Sequence, residues 1–295
     1  MGSPAKASVE SFDDIAPTAL FTAYWRQYGN DPHAGPIFET AAAIWQQCGA
    51  PLPDFRKDER YHGPTMEIRQ KVGDLLLKKA VATQVLDLGA GLSPRGLSKL
   101  GIPYVELDIP VMTTLKEMVL QRLHRTGLVE RRPNHILVPG SALDPDTFAQ
   151  AVSHFDRAKP VTVFSEGFLH YLNNDQRAQV ATNVVRVLTE FGGAWVTDLP
   201  HLPLGSDGAP VPRFQNLGTS RDVRGLAFAD QDTALKFFAG QRLVTKPEDS
   251  IAYADPGILS GLVSLDRVDL TKAEVAKKQS TWAMHIFHLA GSTRA

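Results

Sequence analysis

Residues 84–91 read Gln-Val-Leu-Asp-Leu-Gly-Ala-Gly, and they constrain the fold more than any other stretch. Val85, Leu86 and Leu88 form a short apolar run suited to a buried strand. Asp87 lies toward its end, and Gly89-Ala90-Gly91 opens the turn that follows. A strand that ends in a glycine turn and feeds a helix brings backbone close to a nucleoside cofactor in open α/β sheets. A Cβ at those positions would hold the ligand away. A tight strand–helix turn with no ligand is the plain alternative.

Two cofactor classes compete for such a turn. A dinucleotide site asks for G-x-G-x-x-G, with a pyrophosphate facing the helix N-terminus. Here Pro94 stands at the third glycine position. Proline serves early in a helix, where its missing N–H costs little. An acidic residue before the glycines suits a ligand with a positive centre better than a pyrophosphate. S-adenosylmethionine, with a sulfonium, an ammonium and no phosphate, is such a ligand.

The 295 residues suffice for one large α/β domain with additions or for two small domains. A net charge of −1 gives no electrostatic reason to expect nucleic acid or an anionic membrane as partner. No apolar run approaches the ~20 residues that span a bilayer. The N-terminal MGSPAKASVESFDD has no hydrophobic signal region. The single cysteine, Cys48, excludes an internal disulfide and a cysteine-based zinc cluster. A cytoplasmic location is the default expectation.

Helical text runs from Ile15 to about Trp45, broken at Gly29–Pro36. Pro51–Pro64 is loop-like. Met66–Lys79 reads as an amphipathic helix with Ile68, Val72, Leu75 and Leu76 on one face. Strands are expected at Val85–Leu88, Tyr104–Leu107, His135–Val138, Val161–Phe164, Ala194–Thr197, Arg242–Thr245 and Thr281–Leu289. Helices are expected at Val111–Leu123, Pro145–Ala151, Asp175–Leu188 and Asp232–Ala239. This alternation predicts an α/β fold of parallel strands joined by right-handed crossovers. The Pro- and Gly-rich residues 199–226 break it and read as a lid, a binding loop or a disordered stretch. The expected layout is a helical extension over 1–80, then a cofactor-binding domain over 81–295.

Five segments, in order, resemble the leucine carboxyl methyltransferase family, which also holds polyketide O-methyltransferases. They are PTALFTAYWRQ at 17–27, Arg69 with Asp74, VLDLGAGLSPRGL at 85–97, YVELDIPVM at 104–112 and FSEGFLHYL at 164–172. The resemblance implies a Rossmann-like seven-stranded, mostly parallel sheet with helices on both faces, and S-adenosylmethionine as cofactor. It implies that Arg69 pairs with the cofactor carboxylate, a task suited to the guanidinium fork. Asp87, Gly89, Ala90 and Gly91 would line the methionine portion. Asp108 would accept from the ribose hydroxyls, or else cap the next helix. Glu166 would face the amino group or adenosine. The family's Asp-Leu pair after the third strand is replaced by Ala142-Leu143, so adenine falls to Asp144 or to Ser141 and local backbone. Ser93 replaces a family Asp, and Arg95 is kept.

Methyl transfer from a sulfonium asks the protein to align the reactants and exclude water. A carboxylate acceptor, pKa near ~4, is already ionised, whereas a phenol or enol near ~10 gains from a general base. His170, Tyr171 and His201 are the candidate catalytic residues, with His62 a further histidine in reach. Each histidine also has an ordinary structural role open to it. His285 and His288 lie on opposite strand faces and read as structural. Phe21, Tyr24, Trp25 and Tyr28 could wall an acceptor pocket or simply pack the core.

The expected protein is an S-adenosylmethionine-dependent O-methyltransferase of a small organic acceptor, in secondary metabolism. A protein C-terminal carboxyl methyltransferase and a cofactor-binding homologue that does not methylate are the alternatives. Pro94 stands against a nicotinamide dehydrogenase.

Overall fold

The computed structural model describes residues 16–52, 55, 59–98, 101–202 and 226–291. Residues 1–13 and positions 203–225 of the loop expected at 199–226 lie outside the described residues.

Three helices precede the sheet: α1 (Ala16–Arg26), α2 (Ala34–Gln47) and α3 (Glu59–Lys79). Strands and helices then alternate through β1 (Val85–Leu88), α4 (Arg95–Ser98), β2 (Tyr104–Asp108), α5 (Pro110–Arg125), β3 (His135–Pro139), α6 (Pro145–Val152), β4 (Val161–Ser165), α7 (Asn174–Phe191) and β5 (Gly193–Asp198). The remainder is α8 (Gln231–Gly240), β6 (Leu243–Val244), β7 (Ser250–Ala252), α9 (Pro256–Ser260), α10 (Lys272–Gln279) and β8 (Ala283–Leu289).

One sheet runs β3-β2-β1-β4-β5-β8-β6, with β7 also paired to β8. β1 to β5 are parallel and β8 is antiparallel to its neighbours β5, β6 and β7. The fold is thus the expected mostly parallel, Rossmann-like sheet, with eight strands among the described residues rather than seven. The added strand is β7, three residues long and too short to show a period. The order reverses between β1 and β4, the place where open α/β sheets bind ligands beyond their strand ends.

Side-chain alternation sorts each strand between two cores. Leu86, Leu88, Val105, Leu107 and Val163 pack with α6, α7 and α8. Val85, Tyr104, Phe164, Val196 and Met284 pack with α3, α9 and α10. On that same side, α1 and α2 join α5 in a third core.

α3 begins at Glu59, earlier than the loop-like text suggests, and carries Pro64 inside it. Proline there forfeits one backbone hydrogen bond. Burial of Met66, Ile68, Val72, Leu76 and Leu77 offsets that loss. Leu75, expected on the buried face, is 45% exposed, and Leu77 packs instead. α7 starts on a reciprocal capping box between Asn173 and Gln176, which sets the chain direction after 164–172.

Candidate active site

The C-terminal strand ends surround a cavity of about 340 Å³, within the range of small-molecule sites. One wall is the turn after β1. Gly89 and Gly91 have φ of +66° and +52°, left-handed values that favour glycine. At Gly89 the missing Cβ leaves room for the Phe168 ring, whose Cδ2 would lie 2.6 Å from an added Cβ. Protein packing, as well as any ligand, therefore requires this glycine.

Asp108 staples that turn. Its Oδ2 accepts from the Gly91 N–H at 2.7 Å and its Oδ1 from the Ile109 N–H at 2.8 Å. It does not cap α5, whose N-cap is Ile109. Burial pushes its carboxyl up to about 6, against those two hydrogen bonds. Each oxygen keeps a further lone pair for a hydroxyl donor from the cavity it lines.

Asp87 is placed differently. It accepts from the Tyr104 hydroxyl at 2.7 Å, is buried, and is not part of the cavity wall. Burial pushes its carboxyl up to about 7, and the charge of Glu106 adds to the effect. Its role in the turn is internal. Glu106 in turn pairs with Lys116 and, at 2.9 Å, with His135. The Lys116 ammonium also donates to the Ser93 carbonyl at 2.8 Å, holding the end of the glycine turn.

Ser141, Ala142 and Leu143 line the cavity beyond β3. Asp144 accepts from the Asp146 N–H and the Thr147 hydroxyl at the start of α6, so it acts as a helix cap. It is not among the cavity-lining residues.

The opposite wall is ionic. The Glu166 side chain, 3% exposed, accepts from Arg26 at 2.6 Å and Arg95 at 3.0 Å, and Arg69 Nε lies 3.5 Å away. Burial disfavours its charge, but Arg26, Arg69 and Arg95 outweigh that and hold its carboxyl down at about 2. Glu166 lines the cavity with both oxygens already engaged, so its first partners are arginines. Arg95 also reaches Asp74 at 3.2 Å and lies over the Phe164 ring, joining three separated segments.

Asp198, at the end of β5, was not singled out from the sequence. It accepts from Arg69 at 3.2 Å and from the Gly167 N–H at 2.9 Å, and His170 Nε2 lies 3.5 Å from its Oδ2. Burial opposes its charge, but Arg69, His170 and the Gly167 N–H hold the carboxyl well below the usual range. Its position matches that of Asp108 on β2 (the last residue of a parallel strand), and this is the signal that could have found it. Arg26 was likewise missed. It is 8% exposed, lines the cavity, and its Nη1 has no hydrogen-bond partner. The unpartnered Nη1 is itself buried, and it is the guanidinium as a whole that borders the cavity, where a cation suits an anionic ligand group.

Of the candidate catalytic residues, His170 and Tyr171 line the cavity and His201 does not. Burial pushes the His170 imidazole below its ordinary range, only partly offset by Asp198, so the ring is neutral near pH 7. The Tyr171 hydroxyl donates to Thr18 at 3.2 Å, and burial pushes it up, away from ionisation. His201 is buried between the carbonyls of Thr281 (2.8 Å) and Leu199 (3.2 Å), packed on Trp282. Its two ring nitrogens face backbone rather than the cavity. His62 and Phe21 line the cavity, with ring centroids 4.9 Å apart, while Tyr24, Trp25 and Tyr28 pack behind them. His285 is buried and His288 half-buried beside Asp249. Among the described residues no group of three His, Cys, Asp or Glu side chains could hold a metal ion. No described helix is long and apolar enough to cross a membrane.

The sheet order, the glycine turn after β1 and the cavity over the strand ends define a Rossmann-like methyltransferase fold. A solved Thermobifida fusca protein, provisionally described as a methyltransferase, shares it at a TM-score of 0.52 and 18% identity, over 93% of this chain and 94% of that one. A DUF574-family protein of Streptomyces avermitilis aligns at 0.45 and 14%, covering 91% and 96% of the two chains. Magnesium protoporphyrin IX methyltransferase of Synechocystis PCC 6803, solved with bound S-adenosylmethionine, aligns at 0.44 and 9%, covering 86% and 91%. No curated protein matches the sequence. The leucine carboxyl methyltransferase family model matches residues 17–185, more than half of the chain. The chain belongs to that family of S-adenosylmethionine-dependent methyltransferases.

Proposed function

We propose that the protein is an O-methyltransferase that transfers the methyl group of S-adenosylmethionine to a small organic acceptor, in secondary metabolism. The observation that carries this reading is a single cavity with two unlike walls. Gly89–Gly91, Asp108 and Ser141–Leu143 form one, and His170, Tyr171, Phe21 and Met66 line the rest. The first wall fits a nucleoside. Asp108 offers acceptor lone pairs for a cis-diol, and Ser141–Leu143 offer backbone groups for adenine. The guanidinium groups of Arg26 and Arg69, both lining the cavity, fit the amino-acid carboxylate.

Bound there, the cofactor supplies an electrophilic methyl group on a sulfonium. The chain's own work is to orient the acceptor oxygen and keep water out. Met66, Phe168, Leu172 and Trp282 give the second wall an apolar surface for the acceptor's carbon framework. α1 and α3, which supply Thr18, Phe21, Thr65 and Met66, act as the cap over the strand ends.

Titration calorimetry of the full chain with S-adenosylmethionine and S-adenosylhomocysteine tests the cofactor assignment. Binding of both is expected, and binding of neither overturns it. Labelled methyl transfer to free small acceptors, with peptides ending in a free carboxylate as the competing class, tests the acceptor. Transfer to peptides alone would favour the protein carboxyl methyltransferase.

A further inference from the structure

We propose that His170 and Asp198 form a base and its orienting carboxylate, and that the acceptor is an acidic hydroxyl, a phenol or enol, on an apolar framework. This inference rests on the O-methyltransferase reading above.

Three independent contacts hold His170 at the cavity wall. The single 3₁₀ turn Leu169–Tyr171 carries it, and Arg177 Nε fixes that turn by donating to the Leu169 carbonyl at 3.1 Å. The ring packs against Trp282 with centroids 5.8 Å apart. Its Nε2 faces Asp198 Oδ2 at 3.5 Å, while Asp198 Oδ1 accepts from the N–H of Gly167, two residues before that turn. Asp198 therefore holds the bend leading into the His170 turn as well as facing the ring.

The charged groups facing the imidazole come from several elements. Asp198 on β5 favours its protonation, while Arg69 on α3 and Arg177 on α7 disfavour it. His201, just after β5, is close enough for its charge and that of His170 to oppose one another. Burial adds to the second effect and is the largest influence. The outcome is a neutral imidazole with an ionised carboxylate behind it, an arrangement suited to accepting one proton. A carboxylate acceptor is already ionised near neutral pH and has no proton to give. A phenol or enol does, and Phe21, Met66 and Trp282 offer its framework an apolar surface.

The step balances. The acceptor O–H bond breaks toward the imidazole, and the oxygen pair forms the new O–CH3 bond. The methyl–sulfur pair stays on sulfur, so the positive charge passes from sulfonium to imidazolium beside Asp198. The proton then leaves to solvent.

The test uses the full chain with 2-naphthol and 2-naphthoic acid as matched probes. Calorimetry first establishes S-adenosylmethionine binding, and without it both the methyltransferase reading and this inference fail. With cofactor bound, methylation of the naphthol and not the acid is expected. Methylation of the acid alone, or of neither, overturns the inference and leaves the cofactor assignment standing. His170→Gln should lower kcat roughly 100-fold while KM changes by less than about threefold. Wild-type kcat in that variant sinks the base assignment.

Asp198→Asn tests the positioning role through proton affinity. By NMR, in cofactor-free protein, the His170 ring should titrate at lower pH in this variant, because the favouring carboxylate is gone. The acid limb of its kcat profile should move the same way. An unmoved titration shows that Asp198 is structural only. His170→Gln assigns the resonance by its disappearance, so the readout does not depend on turnover.

Discussion

Four acidic residues stand at the ends of parallel strands or just beyond them, and they divide into two pairs. Asp87, Asp108, Glu166 and Asp198 all belong by alternation to the sheet face that packs against α3 and α5. On the β1–β2 side, burial pushes Asp87 to about 7 and Asp108 to about 6, and hydrogen bonds and distant cations only partly oppose it. On the β4–β5 side, arginines on α1, α3 and α4 hold Glu166 at about 2, and Arg69 with His170 and the Gly167 N–H holds Asp198 well below the usual carboxylate range, both against burial. The same residue type, at equivalent places in one sheet, thus meets opposite electrostatics. The difference lies in which helices supply cations. Of the first pair, Asp108 lines the cavity and keeps lone pairs for a donor such as a ribose hydroxyl, whereas Asp87 is buried with the Tyr104 hydroxyl as its partner. The second is held ionised by the protein's own cations, of which Arg26 and Arg69 also line the cavity.

The largest effect should come from breaking the ionised side. Glu166→Gln would leave Arg26, Arg69 and Arg95 buried without their common partner. Removing one partner of a buried ion pair costs about 3–5 kcal/mol. Urea denaturation at pH 7 should show a loss of that order. A loss below about 1 kcal/mol would show that the cluster is not what holds this wall, and the contrast would fail.

A smaller effect, on binding rather than folding, is expected on the other side. Asp108→Ala removes the acceptors offered to the ribose, and hydrogen bonds to a charged group contribute about 1.5–3 kcal/mol. S-adenosylhomocysteine affinity should fall roughly 10- to 100-fold by calorimetry. Unchanged affinity would mean that Asp108 only staples Gly91 and Ile109.

How much of this could be read from the sequence follows the same division. The cofactor wall is local. QVLDLGAG, the acid four residues after Tyr104, and the segment after β3 each sit at one strand end, and strand–turn–helix text reveals strand ends directly. Arg69, Glu166, His170 and Tyr171 were also found, and all line the cavity. Their partners were not legible, because Arg26–Glu166 and Arg69–Asp198 are ion pairs between residues 140 and 129 positions apart. Pairing at that range is set by which helix packs over which strand, and no local period records it. His201 shows the converse. It follows β5 closely, as a site residue should, yet both ring nitrogens face backbone carbonyls, of Leu199 and distant Thr281, rather than the cavity. The segment holding β7, α9 and α10 escaped notice because its elements are three, five and eight residues long.

A third effect separates the pairs most cleanly, because it depends on pH. An acid whose folded pKa is raised stabilises the fold below its unfolded pKa, near 4, and loses that contribution as pH rises through the folded value. Asp87 therefore favours the folded state at acidic pH, and that contribution is lost progressively between about 4 and about 7. Glu166, with its carboxyl held at about 2, does the reverse: its contribution is present above about 4.5 and fades as pH falls through 2. Asp87→Asn removes the ionisation and keeps an acceptor for the Tyr104 hydroxyl. Relative to the wild type, this variant should gain stability between pH 5 and pH 8 in urea midpoints. A difference independent of pH would show that Asp87 keeps its charge as easily as an exposed carboxylate. The two sides of the sheet would then differ only in their partners, with no difference in electrostatic demand.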